Sequence, residues 1–181
     1  KNKKIAVTAN SHKVIHTLLE KVENLANKQK YIFKGLKKGN PDDPDTFYDG
    51  KFVKTDRNDK HYIDGLKDNK ILLYAGTKYH LSQWYYQNKL DYLFVDEASQ
   101  ISVADLVALG GIAKNIILVG DQMQLGQPTQ GSHPGESGHS VLDYLLEGKD
   151  TISKDKGIFL NKTYRLHPNI NLFISENFYE D

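Results

Sequence analysis

The sequence predicts an α/β fold in which helices flank a parallel β-sheet. Short apolar segments, typical of buried strands, alternate along the chain with segments whose apolar residues follow helical spacing. Two of the predicted strands, 92–95 and 115–119, are followed directly by acidic and amide side chains. Strands of a parallel sheet deliver such side chains to its carboxyl edge, where α/β proteins bind their ligands.

The individual elements follow from local patterns along the chain. The apolar run 5–8 predicts a strand, and Ser11 is expected to cap a helix because apolar residues recur at helical spacing from 14 to 25. Residues 35–69 are rich in Gly, Asp, Asn, Lys and Pro, which predicts a long surface excursion with a short helix near 62–66. The other predicted strands are 31–33, 71–74 and 158–160, and the other predicted helices are 81–86, 103–109, 141–146 and 170–178. Residues 126–138, with four glycines and two prolines, predict an irregular loop.

The composition excludes several classes of protein. The 181 residues carry 24 Lys and Arg against 23 Asp and Glu, so any nucleic-acid contact must come from a local patch. There is no cysteine, which excludes disulfide and thiolate chemistry and fits a reducing compartment, so we expect a cytoplasmic protein. No apolar run approaches the roughly 20 residues of a membrane-spanning helix, so no membrane partner is expected.

Asp96 and Glu97, at the end of strand 92–95, are the first candidates for chemistry. A carboxylate at the end of a buried strand can hold Mg²⁺, usually through water. The adjacent carboxylate can orient or deprotonate a water molecule, because side-chain alternation relaxes at a strand end. The alternative is a solvated acidic turn, and the companion residues at the same sheet edge favour the functional interpretation.

Gln124 and Arg165 suit the terminal phosphate of a nucleotide. The amide of Gln124 can bind a phosphate and an attacking water together, and Asp121 can support the metal's outer shell. Arg165 follows the predicted strand 158–160 and could act as an arginine finger, whose planar fork fits a phosphate transition state. The alternatives are a polar loop for Gln124 and a surface ion pair for Arg165.

Two turns at the expected carboxyl edge carry groups that suit nucleic-acid phosphates. Ser11, His12 and Lys13 follow the first strand, and Thr77 follows strand 71–74. Hydroxyls, backbone N–H groups at a helix start and lysines are frequent phosphate contacts. The aromatic run 84–86 could stack bases, although such a cluster near a helix is more often part of a core.

Taken in order, the motifs resemble those of a helicase family. The matching segments are 7–12 (motif Ia), 75–77 (the Gly-Thr motif), 95–100 (motif II, the Walker B box), 120–125 (motif III) and 160–168, continuing to Phe178 and Tyr179 (the opening of the second motor domain). The chain is therefore similar to superfamily 1 helicases of the 5′-to-3′ branch, the Upf/Dna-two/Nam-seven-like group. The Gln-Gly-Ser-His-Pro stretch at 130–134 is closest to prokaryotic helicases fused to a RecB-type nuclease.

The resemblance implies a role for each candidate residue. Asp96 would bind Mg²⁺ and Glu97 would activate water. Asp121, Gln124, Tyr164 and Arg165 would all contact or approach ATP, with Gln124 sensing the γ-phosphate and Arg165 reaching it from the second domain. Ser11, His12, Lys13 and Thr77 would face single-stranded nucleic acid, for which DNA is expected.

The resemblance also implies a domain organisation. Residues 1–157 would form the first RecA-like motor domain without its Walker A segment, and 158–181 would be the first elements of the second. The Gly-Lys-Ser/Thr loop that cradles phosphates does not occur in the 181 residues, so we expect a fragment, inactive alone, of a helicase that translocates on single strands by ATP hydrolysis. Its expected partners are single-stranded nucleic acid, the remaining motor domain and a fused nuclease domain.

Two rival interpretations remain open at this point. The chain could be a non-enzymatic scaffold or nucleic-acid-binding module on a degenerate motor fold. It could also be a metal-carboxylate hydrolase built on Asp96 and Glu97, which would require further ligands at strand ends.

Overall fold

Six parallel strands form a single sheet in a computed structural model, which describes residues 3–124, 134–147, 149 and 151–179. The strands are Ile5–Thr8 (β1), Gly35–Lys38 (β2), Val53–Asp56 (β3), Leu73–Ala75 (β4), Leu90–Val95 (β5) and Ala113–Leu118 (β6). Their order across the sheet is β3-β2-β4-β1-β5-β6. All neighbouring pairs are parallel, so the six carboxyl ends meet at one edge and the predicted α/β class is confirmed.

Helices connect the strands and cover both faces of the sheet. The α-helices are His12–Lys28 (α1), Asp59–Asp68 (α2), Lys78–Leu81 (α3), Val103–Gly110 (α4), Val141–Leu146 (α5) and Pro168–Phe178 (α6). Two short 3-10 helices span Trp84–Tyr86 and Ala98–Gln100. Within the described ranges, no helix is both long and apolar enough to cross a membrane.

Two hydrophobic cores form because strand side chains alternate between the faces. Ala6 of β1 and Tyr74 of β4 pack with residues of α2 to α5, whereas their neighbours Val7 and Leu73 pack against α1. Among the described residues, the three largest fully buried side chains are tyrosines of the first core: Tyr62, Tyr74 and Tyr86. Helix α1 alone supplies most of the cover on the second face, through its buried residues Ile15, Leu19 and Ala26.

Local capping explains where several helices begin. The hydroxyl of Ser11 accepts a hydrogen bond from the backbone N–H of Val14, so the predicted cap of α1 is confirmed. Ser102 and Asp105 form a reciprocal capping box at the start of α4. The hydroxyl of Ser140 caps α5 by accepting from the backbone N–H of Leu142. These side chains satisfy backbone N–H groups that have no partner within their own helix.

The structure corrects four predicted elements. The predicted helix 81–86 is replaced by α3, which ends at Leu81, and the separate 3-10 helix Trp84–Tyr86. Residues 31–33 are not a strand: Ile32 is 81% exposed, and the strand begins at Gly35 instead. The region 35–69 is more regular than predicted, because it contains β2, β3 and the whole of α2. Residues 158–160 lie in no strand, because Ile158 and its neighbours pair with no other strand of the described residues and are exposed. Of the predicted loop 126–138, residues 126–133 lie outside the described residues.

The segment between β2 and β3 is anchored to α1 by one buried carboxylate. Glu23 accepts hydrogen bonds from the backbone N–H groups of Lys51 (2.7 Å), Phe52 (2.9 Å) and Val53 (2.8 Å). A Cβ atom at Gly50 would lie 2.3 Å from a Glu23 oxygen, so only glycine leaves room for the carboxylate. Glu23 therefore determines how the β2–β3 connection meets the helix.

We expect Glu23→Gln to lower the free energy of unfolding by about 1–3 kcal/mol, because the new NH₂ group would face a backbone N–H in a buried site. The measurement is chemical denaturation followed by circular dichroism. Glu20→Gln is the matched control, since Glu20 is exposed one turn earlier on the same helix. Equal stabilities of the two variants would contradict the anchoring role.

Candidate functional site

The turn that carries Asp96 and Glu97 is fixed to the ends of two neighbouring strands. The backbone N–H of Asp96 donates to Thr8 O of β1 at 2.9 Å, and the N–H of Ala98 donates to Val119 O, just beyond β6, at 2.9 Å. The two carboxylates therefore lie at the carboxyl edge of the sheet, between β1 and β6, as the sequence predicts.

Glu97 adopts a backbone conformation that side chains other than glycine rarely take. Its φ angle is 55° and its ψ angle is 44°, in the left-handed region. Holding a non-glycine residue there costs on the order of 1–3 kcal/mol, and such strain is concentrated at functional sites. The Asp96 side chain supports the turn by accepting a hydrogen bond from the Glu97 N–H at 3.1 Å.

Gly120 allows the end of β6 to approach this turn closely. A Cβ atom at Gly120 would lie 2.9 Å from the backbone N of Ala98 and 2.9 Å from Leu142 Cδ1. Any larger residue would push the two turns apart. The glycine thus brings the segment that leads to Gln124 next to Asp96 and Glu97.

Asp121 builds the turn that carries Gln124. Its carboxylate oxygen Oδ1 accepts from the Met123 N–H at 3.1 Å, and its backbone carbonyl accepts from the Gln124 N–H at 3.2 Å. The Gln124 side-chain amide also donates to Asp121 Oδ2 at 3.4 Å. Asp121 therefore orients the Gln124 amide, and its support of a metal's outer shell stays a prediction.

A cavity of about 390 Å³ brings five of the predicted residues together. Its lining residues are Lys13, Val14, Thr17, Leu18, Lys21, Asp96, Glu97, Gly120, Gln124 and Arg165. Arg165 reaches the cavity from the C-terminal segment, 68 positions beyond Glu97 (165 minus 97). Within the described residues, no ion pair involves Asp96, Glu97 or Arg165.

On the α1 side of this cavity, only Lys13 was predicted from the sequence, as a nucleic-acid contact, and Thr17 and Lys21 were missed. Lys13, Thr17 and Lys21 are spaced four residues apart, so they lie on one face of the helix. The four-residue spacing, on a helix that begins just after a strand, was the sequence signal that could have identified these residues. Two lysines and an arginine thus face two carboxylates across the cavity.

The donor set fits a metal that arrives with a phosphate ligand. The described residues contain no group of three or more His, Cys, Asp or Glu side chains that could hold a metal alone. Mg²⁺ keeps several waters and is usually bound through one or two carboxylates together with substrate phosphates. Asp96 and Glu97 satisfy that requirement, whereas the rival metal-carboxylate hydrolase would need more ligands.

Not every predicted residue joins the cavity. Tyr164 is 91% exposed and does not line it, so its packing near a nucleotide stays a prediction. Lys13, which the sequence predicts to contact nucleic acid, lines the cavity together with the residues predicted to bind the nucleotide. Ser11 is engaged as the cap of α1, and Thr77 is the first residue before α3, both at the carboxyl edge.

The aromatic run 84–86 divides between the core and the surface. Tyr85 and Tyr86 are buried, and their hydroxyls lie 3.4 Å and 2.8 Å from the two ring nitrogens of the buried His80. Burial lowers the pKa of His80 to about 4, so this imidazole is neutral. Trp84 is 77% exposed and is the one member of the run that is available to a partner.

His12 belongs to a partly buried basic cluster with His16 and Lys37. The His12 and His16 rings are 6.3 Å apart, and the His16 ring is 5.4 Å from that of Tyr48. Lys37 is fully buried and donates to the backbone carbonyl of Thr46. Nδ1 of His12 and Nε2 of His16 are buried without a hydrogen-bond partner. His12 thus contributes to the packing of the β2–β3 connection, and its contact with nucleic acid stays a prediction.

The cluster shifts the pKa of each member downwards. Burial, followed by the nearby Lys37 ammonium, lowers the pKa of both His12 and His16 below 6.5. Burial lowers the pKa of Lys37 to about 8, with Asp43 opposing the shift. Each of the three groups therefore holds its proton less tightly than it would in water, and Lys37 stays mostly charged at neutral pH.

Comparison with known proteins does not identify the chain. No protein-family model matches it, and no curated protein matches it. The site is therefore defined by its own geometry.

We expect the free energy of unfolding to fall as the pH is lowered from about 7.5 to 5.5, because the unfolded chain binds protons at His12, His16 and His80 that the folded chain resists. His16→Gln should flatten this dependence, measured by denaturation at several pH values. His139→Gln is the control, since His139 is exposed. An unchanged slope in His16→Gln would contradict the cluster's role.

Proposed function

We propose that the chain belongs to the motor of an ATP-dependent superfamily 1 helicase, with 1–157 forming most of the first RecA-like domain and 158–181 opening the second. The observation that carries the proposal is the convergence of Asp96, Glu97, Gln124 and Arg165 on one cavity. Four residues from three separate segments share the chemistry that nucleotide hydrolysis requires. The parallel sheet with all ligand-facing turns at its carboxyl edge is the architecture in which such sites occur.

Each side chain has a distinct task in the proposed reaction. Bound Mg²⁺–ATP would supply the electrophilic phosphate, and Asp96 would hold the ion through its water shell. Glu97 would accept a proton from the attacking water, and the Gln124 amide would orient that water against the γ-phosphate. The guanidinium fork of Arg165 would bind the developing charge, while Lys13 and Lys21 keep the cavity attractive to phosphates.

Single-stranded nucleic acid, with DNA as the preferred form, is the proposed substrate of the motor. The first residues of α1 and α3 lie at the same carboxyl edge as the cavity, so a strand bound there would lie close to the nucleotide. A fused nuclease and a cytoplasmic location stay predictions of the sequence.

A non-enzymatic scaffold is the second candidate. The 181 residues contain no Gly-Lys-Ser/Thr loop, which is the segment that cradles nucleotide phosphates. If the whole protein also lacked this loop, nothing would hold the phosphates, and the scaffold would be favoured. The convergence of Glu97, Gln124 and Arg165 on one cavity favours the enzyme, because a scaffold does not require these side chains together.

In a polypeptide that joins this chain to its phosphate-binding loop, we expect Glu97→Gln to lower ATP hydrolysis about 10²- to 10⁴-fold, because the general base is lost. Binding of Mg²⁺–ATP should survive, since the shape of the side chain is kept. Steady-state phosphate release and equilibrium binding separate the two effects. Glu20→Gln, outside the cavity, is the control, and the 181-residue chain alone should show only background hydrolysis.

Near-normal turnover in Glu97→Gln would remove Glu97 from the mechanism. Absence of turnover even in the unaltered polypeptide, with nucleic acid still bound, would favour the scaffold.

In the same joined polypeptide, Arg165→Ala should lower the single-turnover rate of ATP hydrolysis by about 10³- to 10⁵-fold at saturating ATP and DNA, as for other arginine fingers. Arg165→Lys should not restore the rate, because an ammonium lacks the planar fork. The affinity for single strands without nucleotide should remain unchanged. Equal rates for Arg165→Ala and the unaltered polypeptide would contradict the arginine-finger role and favour the alternative, a surface ion pair.

A further inference from the structure

The C-terminal helix α6 is joined to the turn that carries Gln124. The hydroxyl of Tyr179, the residue that follows α6, donates a hydrogen bond to Asp121 Oδ2 at 2.7 Å, across 58 positions of sequence. The Tyr179 ring also lies 6.1 Å from the ring of Phe159. Helix α6 itself exposes most of its apolar side chains, so this polar contact is a specific attachment at its end.

Asp121 Oδ2 receives two hydrogen bonds, one from its own turn and one from the C-terminal segment. Tyr179 donates at 2.7 Å and the Gln124 side-chain amide at 3.4 Å. Oδ1 is occupied by the Met123 N–H, so the carboxylate cannot rotate without breaking the turn. No lysine or arginine of the described residues forms an ion pair with Asp121, which leaves the phenol as its strongest donor.

The phenol is suited to remain a donor at neutral pH. Burial, followed by the hydrogen bond to Asp121, raises the pKa of Tyr179 to about 12. The proton therefore stays on the hydroxyl, and Asp121 stays the acceptor.

We propose that Tyr179 is a positioning residue: its hydroxyl fixes the Asp121 carboxylate, which in turn holds the Gln124 amide toward the cavity. Arg165 and Tyr179 belong to one described segment, 151–179, so a single segment brings a cation to the cavity and orders the Gln124 turn. When this segment docks, it therefore also orients the Gln124 amide. The role of Tyr179 in catalysis rests on the proposed function. The link from Tyr179 through Asp121 to Gln124 does not, and it can be tested in this chain alone.

The test uses the isolated chain without nucleotide, labelled with ¹⁵N. The side-chain NH₂ resonances of Gln124 are identified by their loss in Gln124→Ala and then compared in Asp121→Asn, Tyr179→Phe and the double variant. Tyr179→Phe keeps the aromatic contact with Phe159 and removes only the hydroxyl. Tyr144→Phe is the control, because Tyr144 lies half-exposed on α5, away from the turn.

We expect Tyr179→Phe to move the Gln124 resonances in the same direction as Asp121→Asn, and the double variant to match Asp121→Asn alone. Additive shifts, or Gln124 resonances that stay in place in Tyr179→Phe, would overturn the proposal. If Tyr179→Phe also disturbs α6, the reciprocal measurement decides: Asp121→Asn must shift the ring resonances of Tyr179, and their constancy would overturn it. Failure of the proposed helicase activity is read separately, from the hydrolysis rates of Glu97→Gln.

Discussion

The candidate site depends on two backbone hydrogen bonds that fasten the turn after β5 to the strands on either side. Asp96 N–H donates to Thr8 O and Ala98 N–H donates to Val119 O, both at 2.9 Å. Because these bonds extend the sheet pairing beyond the last strand residues, the Asp96–Glu97 turn inherits the rigidity of the sheet. The two bonds restrain the backbone on both sides of Glu97, whose left-handed conformation is part of this turn.

A second level of organisation comes from residues that bring distant segments to this frame. Gly120 permits close contact at the end of β6, α1 supplies Lys13 and Lys21, and the C-terminal segment supplies Arg165. The cavity is lined by both cationic and anionic side chains, which suits a ligand that combines a cation with a polyphosphate better than it suits either alone. Helix α1 contributes to both the cavity and the second hydrophobic core, which explains why it has polar residues on one face and apolar residues on the other.

Sequence patterns located the central strands and the acidic turn because those segments are apolar, buried and followed by polar residues. Strand β2 escaped prediction because its sequence is Gly-Leu-Lys-Lys, and a fully buried Lys37 violates the alternation by which strands are recognised. Residues 158–160 misled in the opposite way, since they are apolar but have no strand to pair with among the described residues. Lys21 was missed because its role depends on where α1 lies relative to β5, which periodicity does not specify.

The exposed indole of Trp84 has a practical consequence for spectroscopy of this chain. It is the only tryptophan, and it lies at the surface with its ring 5.8 Å from that of Tyr85. Its emission will therefore be that of a hydrated indole already in the native state and will change little when the core is disrupted. The buried rings of Tyr62, Tyr74 and Tyr86 make near-ultraviolet tyrosine circular dichroism the more faithful signal of tertiary structure, and they leave the tryptophan free to report on molecules that approach the surface from outside.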